Sequence, residues 1–150
     1  MTLKTQINDL GSSVCVDKNN EKFIPALGNG SSVPGDLVYV VPGTGRVAGA
    51  DKTTAKFFQG FLMESILTGT ETAIVTDVPC KVVIPKSGHA YNIRVTIVAA
   101  ADDEEGGGVT FEDDAGKGET TNITLANGKV GRLSQEARIG DTVAQIIFIE

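Results

Sequence analysis

His89 is the only histidine in a chain of 150 residues. Imidazole chemistry, whether proton transfer or metal ligation, would have to run through it. The chain carries no HxxxH, CxxC or GxSxG pattern that would supply partners for a triad or a zinc centre. Ser87-Gly88-His89 beyond Pro85 reads instead as a turn with a surface histidine. Hard oxygen ligands are more plentiful: Asp102, Asp103, Glu104, Glu105, Asp113 and Asp114 offer the donors a calcium ion takes. Their spacing lacks the alternation and the closing glutamate of an EF-hand loop. A solvated charged loop that keeps a surface soluble accounts for them more simply. Gly43-Thr44-Gly45 and Gly106-Gly107-Gly108 are too short for a phosphate cradle, and no Lys-Ser/Thr pair opens a helix after them. Asn29-Gly30-Ser31 and Asn122-Ile123-Thr124 match the glycosylation acceptor, which chance explains without a secretory leader. No pair of carboxylates can be given acid and base roles, because burial decides those roles. The expectation is a protein with no catalytic residues, no metal and no cofactor.

The elements that carry these residues follow from composition. Hydrophobic residues make up 41% and charged residues 21%, a globular balance. One domain is the expectation at this length. Gly is abundant, Val, Ile and Thr are frequent and Leu is scarce, which favours strands and tight turns. The net charge of −6 is concentrated. Residues 102–119 hold eight acids against Lys117, a charge of −7, which leaves +1 on everything else. A nucleic-acid binder needs the opposite, a basic stripe facing phosphates. Cys15 and Cys80 read as two reduced thiols, since two cysteines are no disulfide framework. The opening MTLKTQINDLG has no apolar leader, and no run reaches transmembrane length, so synthesis in a cytosol without membrane insertion is expected.

In chain order, residues 1–34 are polar and irregular and read as an extended N-terminal arm with one short strand. Its apolar residues include Leu10, Val14, Val16, Phe23 and Ile24. Such a segment has no core of its own and must lie on something or stay loose. Residues 35–150 read as a single β-rich domain. Leu37 to Val41 and Arg46 to Ala48 form a hairpin across the Pro42–Gly45 turn. Phe58 to Leu67 is read as a strand, with a short helix at Thr53 to Phe58 capped by Asp51 or Thr53. Strands are expected at Glu71–Thr76, Cys80–Pro85, Val109–Phe111 and Thr120–Leu125. The alternation of Tyr91, Ile93, Val95 and Ile97 marks a half-buried strand. Asn127-Gly128 predicts a hairpin from 120–125 into Lys129–Leu133, and Thr142 to Ile149 closes the chain. The fold class is mainly β, a small β-barrel or β-sandwich of about eight to ten short strands.

The stretch Gly35 to Thr76 runs GD-L-V, a Gly turn, RV, a Thr- and Ala-containing connection, F-x-G-F-L-M-E, T-G-T-E and A-I-V. This order resembles the small β-barrel proteins that decorate tailed-virus capsids, the cement or head-stabilising proteins. The resemblance covers roughly a third of the chain closely, and its motifs are turn-and-strand patterns. It implies a non-catalytic structural protein on the outer capsid surface, made in the host cytoplasm. It further implies a homotrimer bound to the major capsid protein, with the N-terminal arm reaching over the shell by strand addition and Leu10, Val14, Val16, Phe23 and Ile24 as its anchors. The alternative is a ligand- or carbohydrate-binding β-domain such as an adhesin or head-fibre base. That reading wants exposed aromatics, and the chain has no Trp and only Tyr39 and Tyr91 as tyrosines.

Overall fold

A computed structural model describes residues 13–16, 20–51, 53–65, 69–97, 108–111, 118–121, 129–134 and 142–149. Short β-branched and apolar runs between turn residues make it mainly β, as the composition requires. The strands are β1 (Lys22–Leu27), β2 (Leu37–Val40), β3 (Val47–Gly49), β4 (Gly60–Leu62), β5 (Pro79–Ile84), β6 (Ala90–Ile97), β7 (Gly108–Phe111), β8 (Gly118–Thr121), β9 (Lys129–Leu133) and β10 (Val143–Phe148). The first five form one sheet in the order β1-β5-β4-β2-β3. The pairings of the other five run in a ring, β10-β6-β8-β7-β9 and back to β10. Pairing is antiparallel throughout except between β6 and β8.

The two strand systems share a core. Leu37, Phe61 and Val83 from the sheet pack with Tyr91, Ile93, Val95, Val109, Leu133, Val143 and Ile146 from the ring. Phe61 sits at the junction, its ring 5.1 Å from that of Tyr91 and 6.3 Å from that of Phe148. The opposite face of the sheet carries a smaller core of Ala26, Val38, Val47, Leu62, Ile74 and Val82. The outer ends of the sheet approach one another: the Leu27 N–H donates to Gly45 O at 2.9 Å, and the Asn29 side-chain amide donates to Val47 O at 3.0 Å. Asn29 Oδ1 also accepts from the Ser31 and Ser32 N–H groups, so this acceptor-sequence asparagine serves as a turn brace.

Several expectations are corrected here. Glu71–Thr76 forms no strand. Ile74 exchanges main-chain bonds with Gly30 and Ser32, its side chain fills the smaller core, and the Arg94 guanidinium takes Thr70 O. The segment is thus a cover over the sheet. Among the described residues the expected strand Phe58–Leu67 reduces to Gly60–Leu62, preceded by one 3₁₀ turn at Ala55–Phe57; Ile66 and Leu67 lie outside them. Asp51 caps that turn, accepting from the Thr53 and Thr54 N–H groups at 2.8 and 2.9 Å. Gly60 is required where it stands, because a Cβ there would lie 1.9 Å from Val83 O. The hairpin expected from 120–125 into Lys129–Leu133 falls largely on residues 122–128, outside the described residues; among those described, β9 pairs with β7 and β10, and β8 with β6 and β7. Gly140, Asp141 and the acidic stretch 102–105 with 112–114 also lie outside the described residues.

Among the described residues of the expected arm, β1 is its one strand and pairs along its whole length with β5, and Val14 and Cys15 are enclosed in the main core. Residues 13–16 and 20–34 thus lie on the body of their own domain, one of the arrangements open to such a segment. No helix among the described residues is long and apolar enough to cross a membrane.

Candidate functional site

Residues 13–16 form a strap along β6. Beyond Arg94 one side of β6 is taken by β8, which leaves Ala90–Asn92 on that side for the strap. Cys15 bridges Tyr91, Asn92 N–H donates to Val14 O at 2.8 Å, and Val16 N–H donates to Ala90 O at 3.2 Å. Glu64, just past β4, holds the strap from the other side. Its carboxylate accepts from the Ser13 hydroxyl at 2.6 Å and from the Val14 N–H at 3.0 Å. Burial of Val14 drives the strap inward, and Glu64 satisfies the polar groups that descend with it.

The strap leads to a second polar cluster. Glu21 is nearly enclosed, its side chain only 4% exposed, and its two oxygens meet His89 Nδ1 at 2.9 Å and the Tyr91 hydroxyl at 3.0 Å. The Tyr91 hydroxyl in turn accepts from the Lys86 N–H at 2.8 Å. Burial, with the Glu21 carboxylate beside it, holds the Tyr91 hydroxyl well above its ordinary range. It therefore stays protonated and donates to Glu21. The Lys86 ammonium donates to Asn20 O. His89, expected as a surface turn residue, follows the turn but is half-buried and works as a tether for the segment before β1.

Between strap, β1 and the end of β4 lies an open groove. It consists of two adjoining hollows of about 380 and 320 Å³ that share Phe23, Met63 and Glu64 as lining. Strand geometry explains it. Phe23, Val83, Phe61 and Leu37 stand side by side on one face; the ring covers Val83, Phe61 and Leu37 and leaves Phe23, in the edge strand, uncovered. The next row toward the sheet end, Pro25, Lys81 and Met63, extends past the cover. Phe23 remains 41% exposed there, with the Lys81 ammonium 5.5 Å from its ring centre. Cys15 Sγ lies 3.6 Å from Met63 Sδ at the groove wall. Both cysteines are thiols, and burial pushes the Cys80 thiol above its usual range. Among the described residues, no three His, Cys, Asp or Glu side chains gather as a metal-binding set.

The expected arm anchors thus separate. Leu10 lies outside the described residues, Val14 is core, and Ile24 packs at the margin of the smaller core. Only Phe23 and Val16, at 41% and 40% exposure, present themselves outward. Glu21 and Lys81 carried no sequence signal, and Met63 and Glu64 figured only as the end of the F-x-G-F-L-M-E run, because such side chains acquire a site role only through residues far along the chain. No protein-family model matches the chain, and no curated protein matches it either.

Proposed function

We propose that this is a structural assembly protein, a decoration or cement protein that binds the outer surface of a tailed-virus capsid and stabilises it without catalysis. The observation that carries the reading is the placement of the stretch resembling that family. Its GD turn, hairpin, F-x-G-F-L-M-E segment and T-G-T-E turn make up β2, β3, β4 and the cover that follows, one contiguous unit rather than scattered matches. Asp36 at the start of that unit is buried and accepts from the Val33 N–H, so the GD turn is a built element. The ring of five short strands packed on a sheet supports a small β-barrel as the architecture.

In this reading the partner is the major capsid protein and the protein works as a homotrimer, so that individually weak contacts add to high avidity. Its place is the virion surface. The test is antibody labelling of intact virions from the source virus, together with the native mass of the purified protein. Label on the outer shell and a three-chain mass are the expected results. Protein confined to the unassembled fraction, with virions unlabelled, overturns the reading.

A further inference from the structure

The pairings of β1–β5 and of β6–β10 follow one plan. In the ring, β6 pairs with β10, β10 with β9, β9 with β7 and β7 with β8, all antiparallel. A parallel pair, β6 with β8, closes the circle. In the sheet, β1 pairs with β5, β5 with β4, β4 with β2 and β2 with β3, all antiparallel. The closing contact is present there too: Leu27, at the end of β1, bridges Arg46, just before β3, in the parallel sense. Taken in chain order, the first strand of one set matches the first of the other, and so on to the fifth.

The register agrees residue by residue. Leu62 faces Val82 as Leu133 faces Ile146, and Val82 faces Ile24 as Ile146 faces Tyr91. Val38 faces Gly60 on one side and Gly49 on the other, as Val109 faces Gly131 and Thr120. Bonds beyond the ladders repeat as well. Met63 N–H donates to Lys81 O as Ser134 N–H donates to Gln145 O, at 2.9 and 3.0 Å. Gly28 N–H donates to Val78 O as Val95 N–H donates to Thr142 O, again at 2.9 and 3.0 Å. A Cβ on Gly60 would lie 1.9 Å from Val83 O, and one on the matching Gly131 2.3 Å from the matching Ile147 O. Strand propensity alone fixes neither strand order nor the place of a glycine at a crowded crossing.

We infer that the strands within residues 22–84 and 89–148 are two copies of one five-stranded barrel joined in tandem. The copies differ where the strap lies. On β6 the strap takes the Asn92 N–H through Val14 O. The shared register places Pro25 at the same point of β1, where there is no N–H to take. One copy covers this outward edge with a segment from before its partner, and the other deletes the donor; both protect the same strand edge from open-ended pairing. The repeat is independent of whatever shell or ligand the protein binds.

The experiment is amide hydrogen exchange by NMR on the full chain, first without substitution. Leu27 and Gly28 are expected to exchange at least about a hundredfold more slowly than free amides, as Val95 does, because the first copy closes at that point. Free exchange at Leu27 and Gly28 beside a slow Val95 means an open sheet next to a closed ring, and overturns the inference. The second arm is Asn92→Pro. Proline inside a strand ordinarily breaks a ladder. Here the twin position already holds one, so Val95 and Ser134 are expected to stay slow while the strap amide of Val16 speeds up at least about tenfold. Loss of protection at Val95 and Ser134 in Asn92→Pro overturns the match of β6 with β1. No capsid enters either arm, so the outcome is separate from that of virion labelling.

Discussion

Replacing Phe61 by alanine tests whether sheet and ring are one cooperative body. Phe61 is fully enclosed, with aromatic neighbours Tyr91 at 5.1 Å, Phe58 at 5.6 Å and Phe148 at 6.3 Å between ring centres. Truncating a buried phenylalanine costs about 3–5 kcal/mol through lost transfer energy and the cavity left behind. That is a large part of the roughly 5–15 kcal/mol that holds a domain together. With a urea dependence of about 2 kcal/mol per M, a loss of about 4 kcal/mol lowers the unfolding midpoint by about 2 M. Phe57 is the matched control: it is the same residue type, 51% exposed, and touches Tyr39 and Lys56 only at the surface. Phe57→Ala is expected to cost about 1 kcal/mol or less. Equilibrium unfolding followed by tyrosine fluorescence and far-ultraviolet dichroism provides the assay, and both probes are expected to report one transition. A midpoint shift for Phe61→Ala below about 0.5 M, or one no larger than that of Phe57→Ala, refutes the shared core.

Gly60→Ala places a methyl group against Val83 O and forces β4 from β5; a lowered unfolding midpoint and poor soluble yield are expected, measured against the unsubstituted chain. A chain lacking residues 1–21 loses Val14 and Cys15 from the core and Glu21 from His89 and Tyr91, so its midpoint falls; a chain lacking 1–34 also loses β1 and is expected to show no cooperative transition. Cys80 is expected to alkylate more slowly than a free cysteine at pH 8 or so, because burial raises its thiol and depletes the thiolate; reaction at the unhindered rate would contradict that placement. The paired hydrogen bonds from Arg46, at 2.8 and 2.9 Å, hold the Asp77 carboxyl below its ordinary range. Its contribution is therefore full above the unfolded-state value and lost as pH falls through the depressed one, and Asp77→Asn should flatten that acid limb in a stability–pH series.

Period-two patterning made most strands legible. The alternation from Tyr91 to Ile97 became β6, and the β-branched run at Leu37 became β2 beside its turn partner β3. What the sequence did not carry was partnership. Glu71–Thr76 has strand-forming residues, yet Gly30 and Ser32 draw its backbone away from any ladder through Ile74, and that draw depends on residues more than forty positions earlier. The sequence of Lys129–Leu133 likewise does not name β7 and β10 as the strands it joins, since both partners are set by the closure of the ring. The polar, irregular look of residues 13–34 is local too, and it concealed one enclosed valine and one enclosed glutamate side chain. The groove was least legible of all. It is the uncovered end of a sheet face, a matter of how far the ring extends, and no residue type records that.

The strap also sets a timetable for synthesis. Its partners are late: Asn92 binds Ser13 across 79 positions, and His89 meets Glu21 across 68. A ribosome adding roughly 5–20 residues per second takes about 4–15 s to deliver them. Throughout that interval Val14 and Cys15 have no core to enter, and the ring that completes it is still unmade. The strap is thus made before its partners and settles only with them, and for that interval the nascent chain presents an unclaimed apolar segment to whatever lies nearby.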